Sequence, residues 1–192
     1  MTTQPTTPFL IIDLEATCWE GPEQVTHAGQ GEIIEIGLAI VSATNELQWQ
    51  GGWFVRPIAS EPLSDFCTKL TSITQADIQT APLLPEALNL VAKQVKAITE
   101  CELNQCTFVS WGKYDRSQFE RDCARHSIAY PFGPHINLKQ EFMTKLKRAG
   151  LSSALTHLGL TFTGTLHRGA DDAANIARIF MKDFGPGYEF ST

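Results

Sequence analysis

The chain has 192 residues, 43% of them hydrophobic and 19% charged, which is typical of a globular protein with one substantial core. The N-terminal stretch MTTQPTTP lacks the basic and apolar regions of a signal peptide, and no apolar run is long enough to cross a membrane, so we expect a cytoplasmic protein with no membrane partner. The net charge of −6 argues at first against nucleic acid as a partner. Five cysteines, an odd number without zinc-motif spacing, predict reduced thiols.

The N-terminal half predicts a three-stranded antiparallel meander. A buried strand is predicted over residues 9–13, a second in GEIIEIGLAIVSA, and a third in LQWQGGWFVRP after a turn at residues 44–45. The proline and serine in RPIASEPLSDFCTKLTSIT then predict a long surface loop. Pro85 opens a helix. Its apolar residues recur at helical spacing: Leu88, Val91, Val95 and Ile98.

The C-terminal half alternates between strands and helices. A short strand in TFVSWG precedes a helix over about residues 114–126, and a weaker strand in HINLK precedes a basic helix that ends at Arg148. A short helix is predicted in SSALTHLGL and a last one over about residues 170–182. This order predicts an α/β fold with a mixed five-stranded sheet, an antiparallel meander plus parallel strands, flanked by helices. The predicted ranges are a domain over residues 8–184 and tails over 1–7 and 185–192.

The first strand ends in two acids, within the stretch FLIIDLEATCWE. Because residues i and i+2 of a strand point to the same side, Asp13 and Glu15 should face one way, with their Cα atoms about 6–7 Å apart. That geometry suits two oxygen ligands of one hard cation. The alternative is a strand end that emerges into solvent, and this pair alone favours the alternative.

A third acid stands where the strand TFVSW runs into a helix. Phe119 shares the helix face of Asp115, so the side chain of Asp115 should point toward the edge of the sheet. The alternative is an acid that only interacts with the helix dipole. Asp122 is a poorer candidate because it lies two turns further from the strand end.

The last helix offers two neighbouring aspartates, which its periodicity distinguishes. Asp172 shares an apolar stripe with Ile176 and Ile179, and this stripe should pack on the sheet. An acid on a buried stripe needs compensation, so Asp172 is the candidate. The other stripe is polar and should be solvated: Asp171, Asn175, Arg178 and Lys182.

One histidine is placed close to these acids. His167 stands five residues before Asp172, in the loop GTLHRGA, and a loop histidine beside a cluster of acids can accept a proton from water near neutral pH. We expect the others to be ordinary surface imidazoles: His27, His126, His135 and His157.

Three segments together resemble the motifs of the DEDD 3′-to-5′ exonucleases: IIDLEAT, WGKYD and HRGADDAANIARI. The histidine-bearing DEDDh branch has its histidine five residues before the last aspartate, as this chain does. The tyrosine branch has a tyrosine four residues before it, where this chain has Arg168. The likeness to the Eri-like exonucleases, which include KapD-type bacterial proteins, extends over about residues 9–180, through EIIEIG, FVRP, LSDFCTKLTSIT and ALTHLGL.

The resemblance implies an RNase H-like fold and a metal-dependent hydrolase. It implies removal of nucleotides from the 3′ ends of single-stranded RNA or DNA, RNA being favoured, as nucleoside 5′-monophosphates. Two Mg²⁺ or Mn²⁺ ions would be bound per active site. By the family pattern Asp13 would bridge both ions, Glu15 and Asp172 would bind one, and Asp115 would bind the other. His167 would be the general base.

The terminal nucleotide is expected to contact two groups of residues. Backbone groups next to the acids are candidates for binding its sugar hydroxyl: Leu14, Ala16 and Thr17. The loop LTSIT resembles the one that packs on the terminal base in this family and contributes three candidates: Leu70, Thr71 and Ile73. Ordinary core packing is an equal alternative for Leu70 and Ile73.

Aromatic and basic residues supply further candidates. Trp19 and Phe66 are possible stacking platforms for a base, although core packing is an equal alternative for Trp19. Four residues are candidates for phosphate contact, each with solvated surface as the alternative: Lys145, Lys147, Arg148 and Arg168.

Two other functions remain as alternatives. A catalytically silent binding module for nucleic acid or protein would keep the fold but would have no need of a pair of metal ions. A glycosidase with two carboxylates would use Asp13 and Glu15. It would leave three candidates without a role: Asp115, His167 and Asp172.

Overall fold

The computed structural model of the protein describes residues 7–144, 150–185 and 188–190. The strands of this part are β1 Phe9–Ala16, β2 Ile33–Val41, β3 Leu47–Phe54, β4 Thr107–Ser110 and β5 His135–Asn137. The helices are α1 Pro22–Thr26, α2 Asp65–Thr71, α3 Gln75–Ile78, α4 Leu84–Thr99, α5 Tyr114–Arg125, α6 Leu138–Met143, α7 Leu151–His157 and α8 Gly169–Asp183. A 3-10 turn, Leu103–Gln105, precedes β4.

The five strands form one mixed sheet in the order β3-β2-β1-β4-β5. β1 pairs antiparallel with β2, and β2 pairs antiparallel with β3. β4 lies parallel to β1 on its other side, and β5 lies parallel to β4. The predicted mixed five-stranded sheet, with an antiparallel meander and parallel strands, is therefore confirmed.

The alternation of side chains along β1 divides the interior into two layers. Leu10 and Ile12 point to the face that α4 covers, in a cluster that includes Leu88 and Val91. Ile11 points to the opposite face, which α6, α7 and α8 cover. Asp13 and Glu15 have the parity of Ile11, so β1 directs both acids toward α8.

The predicted surface loop over residues 56–74 is partly helical. Ser64 caps α2, because its hydroxyl accepts a hydrogen bond from the backbone N–H of Cys67 at 3.0 Å. Cys67 is fully buried and packs this helix against Ile34 of β2 and Ile78 of α3. Prolines and serines in this segment therefore mark the connections around α2 rather than one continuous loop.

The polar stripe of α8 is not fully solvated, as periodicity predicts it to be. Asn175 is completely buried. Its amide donates to the carbonyl of Thr163 at 2.8 Å and its side-chain oxygen accepts from the N–H of Thr163 at 3.2 Å. This stripe therefore binds the segment that leads into α8.

Some predictions concern residues outside the described part. The basic helix predicted to end at Arg148 corresponds to α6, which ends at Met143, and three candidate phosphate contacts lie beyond the described residues: Lys145, Lys147 and Arg148. Most of the predicted tails also lie outside it. Within the described ranges, every helix is too short or too polar to span a bilayer.

Candidate active site

Three separate parts of the chain supply the acids of the site. Asp13 and Glu15 stand at the end of β1, Asp115 in the first turn of α5, and Asp172 in the first turn of α8. Because β1 and β4 are parallel, the ends of these two strands lie at the same edge of the sheet, and α5 begins there. All five predicted catalytic residues line one cavity of about 250 Å³: Asp13, Glu15, Asp115, His167 and Asp172.

Three of the carboxylates are close enough to share one cation. The ligand oxygens of Asp13, Glu15 and Asp172 all lie within 4.8 Å of one another. Glu15 and Asp172 are buried, with 8% and 7% of their surface exposed. Carboxylate oxygens are the donors that Mg²⁺ and Mn²⁺ prefer, so the donor set fits either ion.

The pKa values of this cluster show how costly the negative charges are without a cation. Burial, together with repulsion from Asp115, Asp172 and Glu15, holds the pKa of Asp13 well above its ordinary value. Burial and the charge of Asp172 raise the pKa of Glu15 to about 8. Burial likewise raises the pKa values of Asp115 and Asp172 to about 6.

Basic side chains do not neutralise this cluster. Among the described residues, no lysine or arginine forms an ion pair with any of the four acids. Buried charges are usually paired or coordinate a metal ion. The arrangement is therefore one that could hold a metal ion.

Asp115 has a hydrogen bond that fixes it relative to β1. Its Oδ1 accepts from the backbone N–H of Leu14 at 3.1 Å, and only 4% of the residue is exposed. Leu14 lies between Asp13 and Glu15, so this bond ties α5 to the strand that carries the other acids. Asp115 lies outside the set whose ligand atoms meet within 4.8 Å, and could serve a separate position in the cavity.

His167 lies on the exposed side of the cavity, in a constrained backbone conformation. Its φ of 58° is in the left-handed region, which a residue with a side chain rarely adopts. The backbone N–H groups of His167 and Arg168 hydrogen-bond to Asp172 and oppose the effect of burial on the pKa of that acid. The backbone of His167 is thus anchored to an acid of the cluster, and the residue remains exposed to water.

Cavity volume alone does not distinguish the candidate active site from other cavities of the protein. A cavity of about 430 Å³ lies between α5 and β5, and His135 lines it, but no acid cluster of this kind is found there within the described residues. His135 is not the ordinary surface imidazole that we predicted. It is half-buried with Nε2 2.9 Å from the Ser110 hydroxyl, and burial lowers its pKa to about 4.

Comparison with known proteins identifies the family. The model of the exonuclease family (RNase_T) matches residues 10–180. The chain belongs to this exonuclease family. The 3′-5′ exonuclease Snipper of Drosophila melanogaster is 28% identical to this exonuclease over 206 residues, which cover 98% of this chain and 73% of Snipper.

Two further matches indicate the branch of the exonuclease family to which the chain belongs. Human 3′-5′ exoribonuclease 1 is 33% identical over 188 residues, covering 93% of this exonuclease and 53% of the human protein, so the chain spans about half of that relative. The crystal structure of the nuclease domain of 3′hExo, a DEDDh family member bound to rAMP, has a TM-score of 0.82 and 30% identity. It covers 97% of this chain and 96% of that domain. The predicted RNase H-like fold and Eri-like DEDDh membership are confirmed.

Some of the backbone groups that we expect to bind the sugar already form hydrogen bonds within this exonuclease. The N–H of Leu14 donates to Asp115, and the N–H of Thr17 donates to the carbonyl of Glu32 at 2.8 Å. Ala16 is buried beside them, with 6% exposed. The N–H groups of Leu14 and Thr17 thus already have acceptors, and binding of the sugar by the backbone of these three residues stays a prediction.

The loop predicted to pack on the terminal base divides into one exposed and two buried residues. Leu70 is 37% exposed and accessible to a ligand. Ile73 is fully buried with Cys67 and Ile78, so core packing describes it, and the buried Thr71 hydroxyl donates to the carbonyl of Cys67 at 2.9 Å. The burial of Ile73 favours core packing, the alternative given above, and base contact by Thr71 stays a prediction.

The aromatic and basic candidates among the described residues do not line the cavity of the acids. Trp19 stacks on His27, with ring centroids 4.4 Å apart, and both line a neighbouring cavity of about 330 Å³. Phe66 is half-buried on α2. Arg168 pairs with Glu35 through Nε at 3.1 Å and through Nη2 at 3.3 Å, and its contact with a phosphate stays a prediction.

Three residues that the prediction missed also belong to the region. Trp111 and Tyr114 line the acid cavity, and Tyr114 connects it to the cavity beside Trp19. Both lie inside the WGKYD motif, which could have indicated them from the sequence. Glu35 faces Glu15 across the sheet, and only the register of β1 and β2 reveals it.

Proposed function

We propose that this exonuclease removes nucleotides one at a time from the 3′ end of single-stranded nucleic acid, RNA in preference to DNA, and releases nucleoside 5′-monophosphates. The observation that carries the proposal is the convergence of Asp13, Glu15 and Asp172 within 4.8 Å, without a basic partner among the described residues. The names of the relatives, exonuclease and exoribonuclease, agree with it.

The four acids would hold Mg²⁺ or Mn²⁺, which we propose to be two ions per site. Such ions supply Lewis-acid activation of the phosphate and of the attacking water. Asp13, Glu15 and Asp172 would bind at one position, and Asp115 would contribute to the second. The high pKa values of the free acids mean that metal binding releases protons.

His167 is proposed as the general base. Its imidazole would accept a proton from the water that attacks the terminal phosphodiester, while the bond from phosphorus to the 3′-oxygen of the shortened strand breaks. The exposure of His167 allows the proton to pass on to solvent. The hydrogen bond of its backbone to Asp172 keeps the residue next to the acids.

The preference for RNA rests on two observations from the comparisons. Human 3′-5′ exoribonuclease 1 is named an exoribonuclease, and the solved nuclease domain of 3′hExo carries rAMP. In this chain, the accessible side chains suited to a terminal nucleotide are Leu70, Trp111 and Tyr114. Trp19 and Phe66 remain proposed stacking platforms.

The test is digestion of 5′-labelled RNA and DNA oligomers of the same sequence with Mg²⁺, Mn²⁺ or a chelator. We expect a ladder that shortens from the 3′ end, faster for RNA, and no reaction with the chelator. A circular oligomer and one with a blocked 3′ end should resist, and chromatography should show 5′-monophosphates.

Cleavage of the circle at a comparable rate would instead show an endonuclease. A silent binding module would give no ladder, and titration calorimetry with Mn²⁺ would show no metal pair. The unpaired acids of the cavity favour the enzyme, because a binding module gains nothing from burying them together.

A further inference from the structure

Glu35, on β2, lies next to the catalytic cluster, and its carboxylate accepts three hydrogen bonds. Only 3% of its side chain is exposed. One oxygen accepts from the backbone N–H of Gly169 at 3.0 Å and from Nε of Arg168 at 3.1 Å, and the other accepts from Nη2 of Arg168 at 3.3 Å. A single buried carboxylate thus binds both the side chain that precedes α8 and the first N–H of that helix.

The backbone of α8 begins directly against β2 at the same place. A Cβ added to Gly37, two residues after Glu35, would lie 1.9 Å from the carbonyl carbon of Gly169. A Cβ on Gly169 would lie 3.0 Å from the carbonyl oxygen of Asp13. Gly169 is therefore fixed against both β1 and β2, and Glu35 supplies the hydrogen bond that holds it there.

The residue that these contacts position is His167. Its left-handed backbone, with φ at 58°, persists only where the surroundings hold it in place. Arg168 and Gly169, the next two residues, are the ones that Glu35 binds. The N-cap position of α8, Arg168, has no cap from its own side chain, so Glu35 also satisfies a free N–H of the helix.

We infer that Glu35 is a positioning residue for hydrolysis: it holds the segment 167–169 so that the His167 imidazole stands beside the acid cluster. This inference rests on the proposed function, in which His167 is the base. Glu35 is not itself a metal ligand, because Arg168 occupies both of its oxygens, and it does not belong to the set of oxygens that meet within 4.8 Å.

The main test compares Glu35→Gln with a matched control. The glutamine side chain has the same size but lacks the charge that holds Arg168. We expect kcat to fall about 10–100-fold, the range for residues that orient a catalytic group, with KM changed less than about 3-fold. Glu120→Gln, which removes the acid of the exposed Arg116–Glu120 pair on α5, should leave kcat unchanged.

Metal binding separates positioning from ligation. Calorimetry with Mn²⁺ alone should give the same stoichiometry for wild type and Glu35→Gln, with affinities within about 3-fold. A loss of Mn²⁺ affinity that parallels the loss of kcat would make Glu35 a ligand and overturn the inference. An unchanged kcat with a lower melting temperature would make its role purely structural and would also overturn it.

Non-additivity shows whether Glu35 acts through His167. In a His167→Ala background, Glu35→Gln should cause no further decrease in kcat, because the group that it positions is already gone. A further decrease by the full factor seen in the wild-type background would contradict the inference.

Arg168→Gln provides a second variant in case Glu35→Gln does not fold. It removes a partly exposed side chain and leaves the bond from Gly169 to Glu35 in place. We expect a smaller decrease in kcat, about 3–10-fold, and an unchanged kcat would count against the role of the ion pair. Failure of the proposed function would appear differently, as a wild-type protein without metal-dependent 3′-end hydrolysis.

Discussion

Glu15 and Glu35 lie directly opposite each other on the antiparallel strands β1 and β2. Like charges in this relationship destabilise a sheet unless something compensates them. Arg168 compensates Glu35, whereas Glu15 has no cationic side chain as a partner among the described residues. The negative charge of Glu15 is therefore unfavourable in the folded protein, and a bound cation would remove that cost.

The metal-free protein should lose stability as the pH rises. Glu15 has a folded-state pKa of about 8, above its ordinary 4.5, so folding favours its protonated form. The stabilisation is complete below about pH 4.5 and is lost as the pH rises through about 8. We expect the free energy of unfolding in a chelator to fall by on the order of a few kcal/mol between pH 5 and 8. The measurement is the melting temperature, which should fall over the same range.

Glu15→Gln and added Mn²⁺ serve as the controls for this effect. The variant should show a smaller fall over the same pH range, because it lacks the titrating group. Mn²⁺ should restore stability in the wild type at pH 8, since it binds the folded state. Equal pH profiles for the variant and the wild type would show that Glu15 is not the source.

Asp13→Ala should abolish most of the activity. Asp13 is the acid of β1 that lies among the other three, and stabilisation of the transition state by metal ions is worth several kcal/mol. We expect turnover to fall by at least about 10³-fold in initial-rate assays. Asp65→Ala, on the exposed side of α2, is the matched control and should retain activity. Near wild-type hydrolysis by Asp13→Ala would remove this acid from the site.

The rate of hydrolysis should depend on pH through His167. Imidazoles lose their proton near neutrality, so a general base of this kind gives a rate that increases between about pH 6 and 8. The measurement is kcat against pH with saturating Mg²⁺. His167→Ala should lower the rate and flatten the profile, and an unchanged slope in this variant would exclude His167 as the base.

Gly37→Ala should damage the site more than the fold. Its Cβ would lie 1.9 Å from backbone atoms of Gly169, so the start of α8 must move away from β2. Asp172 would move with it, and we expect at least about a tenfold loss of Mn²⁺ affinity by calorimetry. Gly150→Ala is the control, because a Cβ at that position meets nothing within 4 Å. Full metal affinity in Gly37→Ala would show that α8 tolerates the shift.

The acids were predictable because each is marked by a local pattern. The two-residue period of a strand predicts that Asp13 and Glu15 face one way, whereas their role as ligands follows from the family resemblance. The helical period separates Asp172 from Asp171. The structure agrees with this distinction, since Asp172 is buried while Asp171 is only partly so and accepts from the N–H of Thr165 at 2.8 Å.

The residues whose surroundings the sequence left open or misplaced depend on contacts distant in sequence. Asn175 has a polar side chain on a polar stripe, but the segment around Thr163 folds back to bind it. Arg168 is basic and follows His167, yet Glu35, 133 residues earlier in the chain, binds its guanidinium. Ile73 lies in a loop-like sequence but is buried against Cys67. Patterns within one element cannot show such pairings.

The hydrogen bond from Leu14 to Asp115 affects the choice of an inactive form for capturing substrates. An asparagine side chain at position 115 keeps an oxygen that can accept this bond, so the junction of β1 and α5 should survive the loss of charge. Alanine would leave the buried N–H of Leu14 without its acceptor. Asp115→Asn is therefore the better variant for crosslinking and sequencing the nucleic acids that this protein holds in living cells.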